Sequence, residues 1–135
     1  MLISFKLGDD MSAITLALIV FSITLSAFAQ IAMKSGMSSE PVQQALVGGS
    51  TAFQIACQVS KSGYVVLGIG LYGLGAISWL LVLAKLDVSI AYPFVAIGFI
   101  LTMVLSFVFF GEPLNTLKVV GTLLVVVGVI IVAQS

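Results

Sequence analysis

Four long apolar stretches limit what this chain can fold into. They cover residues 13–33, 64–84, 90–110 and 117–133, and the only charged residue in any of them is Lys118, near the start of the last. An α-helix rises about 1.5 Å per residue, so about 20 apolar residues cross a hydrocarbon layer about 30 Å thick. The stretches also lack the apolar–polar alternation of membrane-barrel strands. The sequence therefore predicts an all-α integral membrane bundle of four transmembrane helices.

The composition supports a membrane environment. Of the 135 residues, 61% are hydrophobic and only 7% are charged, whereas a soluble domain carries about 25% charged residues. We therefore expect one four-helix transmembrane domain over residues 1–135, in contact with the lipid bilayer. The five lysines divide two against three between the two sides of the membrane, with Lys6 and Lys85 on one side and Lys34, Lys61 and Lys118 on the other, so the positive-inside rule predicts no orientation.

The rare residue types exclude several function classes. The chain has no histidine and one cysteine, Cys57, so neither a usual zinc site nor a Ser-His-Asp or Cys-His catalytic group can form. It also has no arginine and no cluster of lysines, which nucleic-acid binding would require. We expect no enzyme activity, no catalytic residue, no metal, no cofactor and no nucleic-acid partner.

The connections between the stretches differ in length. Residues 85–89 and 111–116 form tight links, which make neighbouring helices pack as antiparallel pairs. The first connection, residues 34–63, is long and moderately polar. Its apolar residues are spaced as in one or two short amphipathic helices at the membrane interface, and Gly48-Gly49-Ser50 predicts a break. Both a loop resting on the lipid headgroups and a functional flap remain open.

Polar residues follow one face of the first stretch. Ser22, Ser26 and Gln30 recur every four residues and therefore share a side of the helix. A buried amide needs partners outside its own helix, so this face either lines a substrate groove or joins helices. In the second stretch, Tyr72 and Trp79 fit either a cavity wall or a lipid-facing surface.

Charged residues are confined to the ends of the stretches. Lys34 follows the first stretch and Glu112 follows the third, on the same side of the membrane, so an ion pair between them is one interpretation. A transporter that exchanges protons for cations usually holds a carboxylate within the membrane. No such carboxylate is present in the four stretches.

Four segments together resemble a known family. They read SAFAQIAMKSGM at residues 26–37, LDVSIAYPFVAIGF at 86–99, FGEPLN at 110–115 and GTLLVVVGV at 121–129. Their order and spacing are similar to the small multidrug resistance branch of the drug/metabolite transporter (EamA-like) superfamily. The resemblance covers nearly the whole chain, except the N-terminal tail and the long first connection.

Two departures separate the chain from the drug exporters of that branch. Ser26 stands where the exporters have the glutamate that binds proton and drug, and Val95 stands where they have a cavity tryptophan. The spacing of Ser26, Gln30 and Lys34 instead resembles the ArnE/ArnF-type subunits that flip undecaprenyl phosphate-aminoarabinose. This resemblance implies a transporter of the bacterial inner membrane, most similar to a flippase or flippase subunit for a polyprenyl phosphate-linked sugar.

The resemblance also implies a set of substrate-binding residues. Lys34 is expected to bind the phosphate, while Ser26, Gln30 and Tyr92 line the headgroup path. Pro93 is expected to shape the start of the third helix. For Lys34 the alternatives are a lysine that marks the membrane edge or the ion pair. For Pro93 the alternative is a proline tolerated near a helix start.

The sequence leaves more than one interpretation of how the chain assembles and what it does. Four helices enclose little polar space, so we expect a homodimer or a heterodimer with a related subunit, and Gly121 and Gly128 resemble the dimerisation face of the family's fourth helix. The alternative to that interface is a lipid-facing helix with incidental glycines. The alternative functions are a small-molecule, polyamine or drug exporter that uses Glu112 or neutral groups, and a non-transporting partner subunit.

Overall fold

The structure is a computed structural model that describes residues 12–135. This part of the chain forms six α-helices. They are α1 (Ala13–Met37), α2 (Glu40–Val47), α3 (Ala52–Lys61), α4 (Gly63–Leu83), α5 (Val88–Phe110) and α6 (Thr116–Gln134). The helices α1, α4, α5 and α6 are long and apolar enough to cross a membrane. The all-α fold with four membrane-spanning helices is therefore confirmed. The predicted domain over 1–135 also includes residues 1–11, which lie outside the described part.

The helix α1 packs most closely against α4. Gly68 and Gly75 of α4 are buried against α1, and a Cβ atom added at Gly68 would lie 2.8 Å from the carbonyl oxygen of Ala29. The hydroxyl of Ser22 donates a buried hydrogen bond of 2.7 Å to the carbonyl oxygen of Gly75. The absent side chains thus let two helix backbones approach closely, as small residues do in membrane bundles.

The other face of α1 packs against α5, and α6 completes the bundle beside α5. A buried apolar cluster joins α1, α4 and α5 near the start of α1 and contains Ile19, Val82, Leu86 and Ala91. Toward the opposite end, the rings of Phe28 and Phe109 meet edge to face at 6.5 Å. No residue of α6 is buried within the described part of the chain.

The first connection is shorter than the sequence indicated, because α1 continues past Lys34 to Met37. Gly36 does not end the helix. It is buried against the start of α4, where a Cβ atom would lie 2.6 Å from the hydroxyl oxygen of Ser62 and 2.7 Å from the backbone nitrogen of Val65.

The predicted break at Gly48-Gly49-Ser50 is confirmed. Gly49 has a φ of 73°, a conformation that glycine adopts without the steric cost of a side chain. The helix α3 then begins at a capping box formed by Thr51 and Gln54. The connection is thus a helical hairpin, α2–α3, on the same side of the membrane as Lys34.

A groove between α1, α4 and α5

A groove of about 350 Å³ opens between α1, α4 and α5, adjoining the apolar cluster. It is within the range of about 300–1,000 Å³ that small-molecule sites occupy. Its lining comes from all three helices: Ser22, Ile23, Ser26, Ala27 and Gln30 of α1, Tyr72, Gly75, Ala76 and Trp79 of α4, and Val95, Gly98, Phe99 and Thr102 of α5. No charged side chain of the described residues lines it.

The polar residues of α1 have different roles in this groove. Ser22 already donates its hydroxyl to the carbonyl oxygen of Gly75. Ser26 is half-buried and Gln30 is exposed, and neither side chain is hydrogen-bonded to another described residue. The predicted polar face therefore serves both interpretations, because Ser22 joins two helices while Ser26 and Gln30 present unpaired polar groups to the groove.

Tyr72 and Trp79 both line the groove, and Tyr72 does so at the open side, where it is also 50% exposed. Trp79 also packs against the apolar cluster. Val95 lines the opposite wall, so the position that resembles the exporters' cavity tryptophan is a groove position with a smaller side chain. The Val95 side chain therefore fills less of the groove than a tryptophan at this position would.

Lys34 lies one helical turn beyond Gln30, about 6 Å further along α1. Its ammonium group forms a salt bridge with Glu112, and the side chains remain 52% and 33% exposed, respectively. The same ammonium lies 5.1 Å from the centre of the Phe110 ring, within cation–π range. The ion-pair interpretation is therefore confirmed, and the pair joins α1 to the α5–α6 connection.

The structure does not bring Tyr92 and Pro93 to this groove. Tyr92 is 58% exposed and borders a second cleft between α5 and α6. It precedes Phe110 by 18 residues, or about 27 Å along α5 at 1.5 Å per residue, so it lies near the opposite membrane face from Lys34. Pro93 is buried in the second turn of α5.

The sequence also matches a family model, that of the EamA-like transporter family, over residues 1–134. The chain belongs to this family. No solved structure matches it.

Curated relatives of this chain come from bacteria and include small flippase subunits. A probable 4-amino-4-deoxy-L-arabinose-phosphoundecaprenol flippase subunit ArnE of Pseudomonas savastanoi is 35% identical over 85 residues, which are 63% of this chain and 75% of the relative. The probable ArnF subunit of Aeromonas salmonicida is 33% identical over 113 residues, which are 82% and 73% of the two chains. A probable ArnE of Pseudomonas fluorescens is 28% identical over 120 residues, or 89% and 97%.

These matches confirm the resemblance to the ArnE/ArnF type. This EamA-like chain is thus a multi-pass protein of the bacterial inner membrane with a transporter or flippase role. The relatives are flippase subunits rather than enzymes.

Of the polar residues that line the groove, the sequence did not indicate Thr102. Thr102 of α5 is half-buried in the groove lining, one to two turns from Val95 and Phe99. Its signal was weak, because a lone threonine in an apolar span can return its hydroxyl to its own helix. The helical spacing of Val95, Phe99 and Thr102 could have placed it once Val95 was recognised as a cavity position.

Gly121 and Gly128 lie apart from the groove, on a flank of α6. Gly121 borders one apolar cleft with α5 and Gly128 borders another. A Cβ atom added at either glycine would meet nothing within 4 Å. Neither glycine is therefore needed for packing within the described part of a single chain.

Proposed function

We propose that this chain is a flippase subunit that moves a polyprenyl phosphate-linked sugar across the inner membrane. The observation that supports it is the groove between α1, α4 and α5, which is lined by neutral polar and aromatic side chains and by no charged one. The relatives named as aminoarabinose-phosphoundecaprenol flippase subunits favour the same substrate class.

The lining of the groove suits a sugar headgroup. A lipid-linked sugar keeps its tail in the bilayer while its polar head crosses, so the path needs hydrogen-bonding groups that replace water. Ser26, Gln30 and Thr102 provide hydroxyl and amide groups that donate and accept, and Trp79 and Tyr72 provide aromatic surface beside them. A carboxylate at position 26 would repel the phosphate, so the serine found there fits this substrate.

Lys34 is the proposed phosphate contact. Its ammonium is about one turn from Gln30, at the end of the polar face, and it is already paired with Glu112. A surface pair of this kind contributes less than about 1 kcal/mol, so an arriving phosphate can replace the carboxylate as its partner. In this proposal Glu112 holds the ammonium in place between substrates.

Tyr92 and Pro93 belong to the other end of the proposed path. Tyr92 is exposed near the opposite membrane face, where we propose that it contacts the headgroup on that side. Pro93 lies in the second turn of α5, where it removes one backbone hydrogen bond and permits a bend.

The partner of this chain is proposed to be a second copy or a related subunit. The relatives are themselves named subunits, and the groove is formed by only three of the four spanning helices. An exporter of drugs or polyamines is the alternative, but a cation in this groove would meet no carboxylate.

The fluorescence of Trp79 tests the proposal directly, since it is the only tryptophan and lines the groove. Titration of the purified protein with a polyprenyl phosphate-linked sugar should give a saturable change in emission and raise the melting temperature. Gln30→Leu should weaken this binding about tenfold, since it removes hydrogen bonds in the groove. Gln134→Leu, at the exposed end of α6, should leave it unchanged.

A quaternary amine and a polyamine serve as competing ligands in the same titration. They should leave the Trp79 emission and the melting temperature unchanged. If they bind and the lipid-linked sugar does not, the protein is an exporter of cations. If neither class binds, the chain is a non-transporting subunit, and the proposal is wrong.

A further inference from the structure

The helical hairpin α2–α3 has its own groove, separate from the one between the spanning helices. It measures about 570 Å³, and its polar lining includes Gln44, Gln54, Gln58 and Lys61. Because the hairpin connects the end of α1 to the start of α4, this groove lies on the same side of the membrane as Lys34.

The hairpin lines its groove with polar side chains and with Phe53, while other large apolar side chains lie outside the lining. In α3, Gln54, Gln58 and Lys61 are spaced on one helical face and line the groove. Leu46 and Val47 of α2 lie outside the groove lining and are 45% and 84% exposed, as expected of a hairpin that touches the acyl chains at the membrane interface. The groove therefore lies at the level of the lipid headgroups.

The hydrogen bonds already present show what the groove can still bind. Gln54 uses its side-chain oxygen to accept from the backbone N–H of Thr51 at 3.0 Å, which leaves its NH₂ group as a donor. Gln44 donates to the Glu40 carboxylate at 3.0 Å, which leaves its own oxygen as an acceptor. The groove thus offers donors and an acceptor at fixed places.

Lys61 supplies a positive charge to this set. Within residues 12–135 its ammonium has no carboxylate within salt-bridge distance, whereas Lys34 is paired with Glu112. Glu40 does not line the groove. A cation with amide donors beside it suits a phosphate, and a free amide oxygen suits a hydroxyl.

We propose that the α2–α3 groove is a second binding site, which takes a phosphate-bearing headgroup at the membrane surface. Lys61 and the side-chain amide of Gln58, one helical turn before it on the same face of α3, bind the phosphate, while Gln44 and Gln54 bind hydroxyl groups. The site rests on the proposed function for its natural ligand, a lipid-linked sugar phosphate. Its existence does not depend on transport through the groove between α1, α4 and α5.

The single cysteine reports occupancy of this site, since Cys57 lines the groove and is only partly buried. The experiment measures the rate at which N-ethylmaleimide alkylates Cys57 in the full-length protein. Farnesyl phosphate at ten times its dissociation constant should slow the reaction roughly tenfold, because only the unoccupied fraction reacts. Farnesol, which has the same chain and no phosphate, should not slow it.

Inorganic phosphate and glucose 1-phosphate distinguish a lipid from a soluble source of the same chemistry. Protection by farnesyl phosphate alone shows a membrane ligand, and protection by the soluble phosphates as well shows that the headgroup suffices. Either result supports the site. Failure of every phosphate compound to protect Cys57 would overturn it.

Variants separate this site from the other groove. Lys61→Gln should abolish the protection and Lys61→Arg should keep it, while Lys118→Gln, an exposed lysine on the same side, should have no effect. Gln30→Leu should lose binding at Trp79 and keep the protection of Cys57, so the two proposals can fail separately. Protection that survives Lys61→Gln would contradict the assignment.

Discussion

Ser22 and Ser26, one helical turn apart on α1, have different surroundings. The Ser22 hydroxyl is buried and bonded to the carbonyl oxygen of Gly75, whereas Ser26 faces the groove with no hydrogen-bond partner among the described residues. We expect Ser22→Ala to lower the free energy of unfolding by about 0.5–1.5 kcal/mol and to leave lipid affinity unchanged. Ser26→Ala should reduce lipid affinity and keep the stability. Thermal unfolding and Trp79 titration measure both, and the reverse pattern would contradict these roles.

Lys34 and Glu112 should respond in opposite directions if the phosphate competes with the carboxylate. Lys34→Gln removes the cation and should weaken lipid-phosphate binding about tenfold, and Lys34→Arg should largely preserve it. Glu112→Gln removes the competitor and should strengthen binding several-fold. A purely structural ion pair predicts instead that both variants lose binding. It also predicts that Lys34→Glu combined with Glu112→Lys restores binding that Lys34→Glu alone abolishes. Titration of the Trp79 emission distinguishes the two.

At the residue scale, the spacing of polar residues along the sequence predicted the groove lining better than their chemical type did. The four-residue repeat placed Ser26 and Gln30 on one face of α1, and both line the groove. It could not place Tyr92, because a position on α5 reaches a groove only through the packing of that helix against its neighbours. The same missing information left Tyr72 and Trp79 undecided and Thr102 unnoticed.

At the element scale, the contact of α1 with α4 depends on glycines at selected positions. A methyl group at Gly68 would lie 2.8 Å from the carbonyl oxygen of Ala29, so Gly68→Ala forces the helices apart and should cost about 1–3 kcal/mol. Gly70 has nothing within 4 Å of an added Cβ atom and is the matched control. Gly70→Ala should keep or raise the melting temperature, because alanine favours a helix. Equal losses in the two variants would show that the contact does not depend on Gly68.

Hydropathy alone predicts the four spanning helices. The predicted spans match α4 and α6 to within one residue at each end, and they are shorter than α1 and α5 by four and two residues. The position where α1 ends could not be predicted from hydropathy. Hydropathy falls at Lys34, but the helix continues to Met37 because Gly36 packs against the start of α4. That continuation is a tertiary effect, and it also fixes where the α2–α3 hairpin begins.

At the scale of the whole molecule, the described chain leaves two surfaces unfinished. The groove between α1, α4 and α5 is open on one side, with Gln30 and Tyr72 exposed. The helix α6 packs mainly against α5 and has no buried residue. Both surfaces are apolar enough to face lipid, so exposure alone does not require a partner. The positions of the small residues Gly121 and Gly128 on α6 are a more specific indication of an interface with a partner.

Gly121 and Gly128 give the test of assembly, since helices associate in lipid through close packing at small residues. We expect Gly121→Leu with Gly128→Leu to reduce crosslinked or native-mass dimers several-fold. The single chain should still fold, because an added Cβ atom at either position meets nothing within 4 Å and both glycines border open clefts that can take the rest of a leucine side chain. Val120→Leu with Val127→Leu has the same seven-residue spacing on the exposed outer face and should leave the dimers intact. Dimers that survive the glycine substitutions, or that are lost equally in the valine control, would show that this flank of α6 is not the interface.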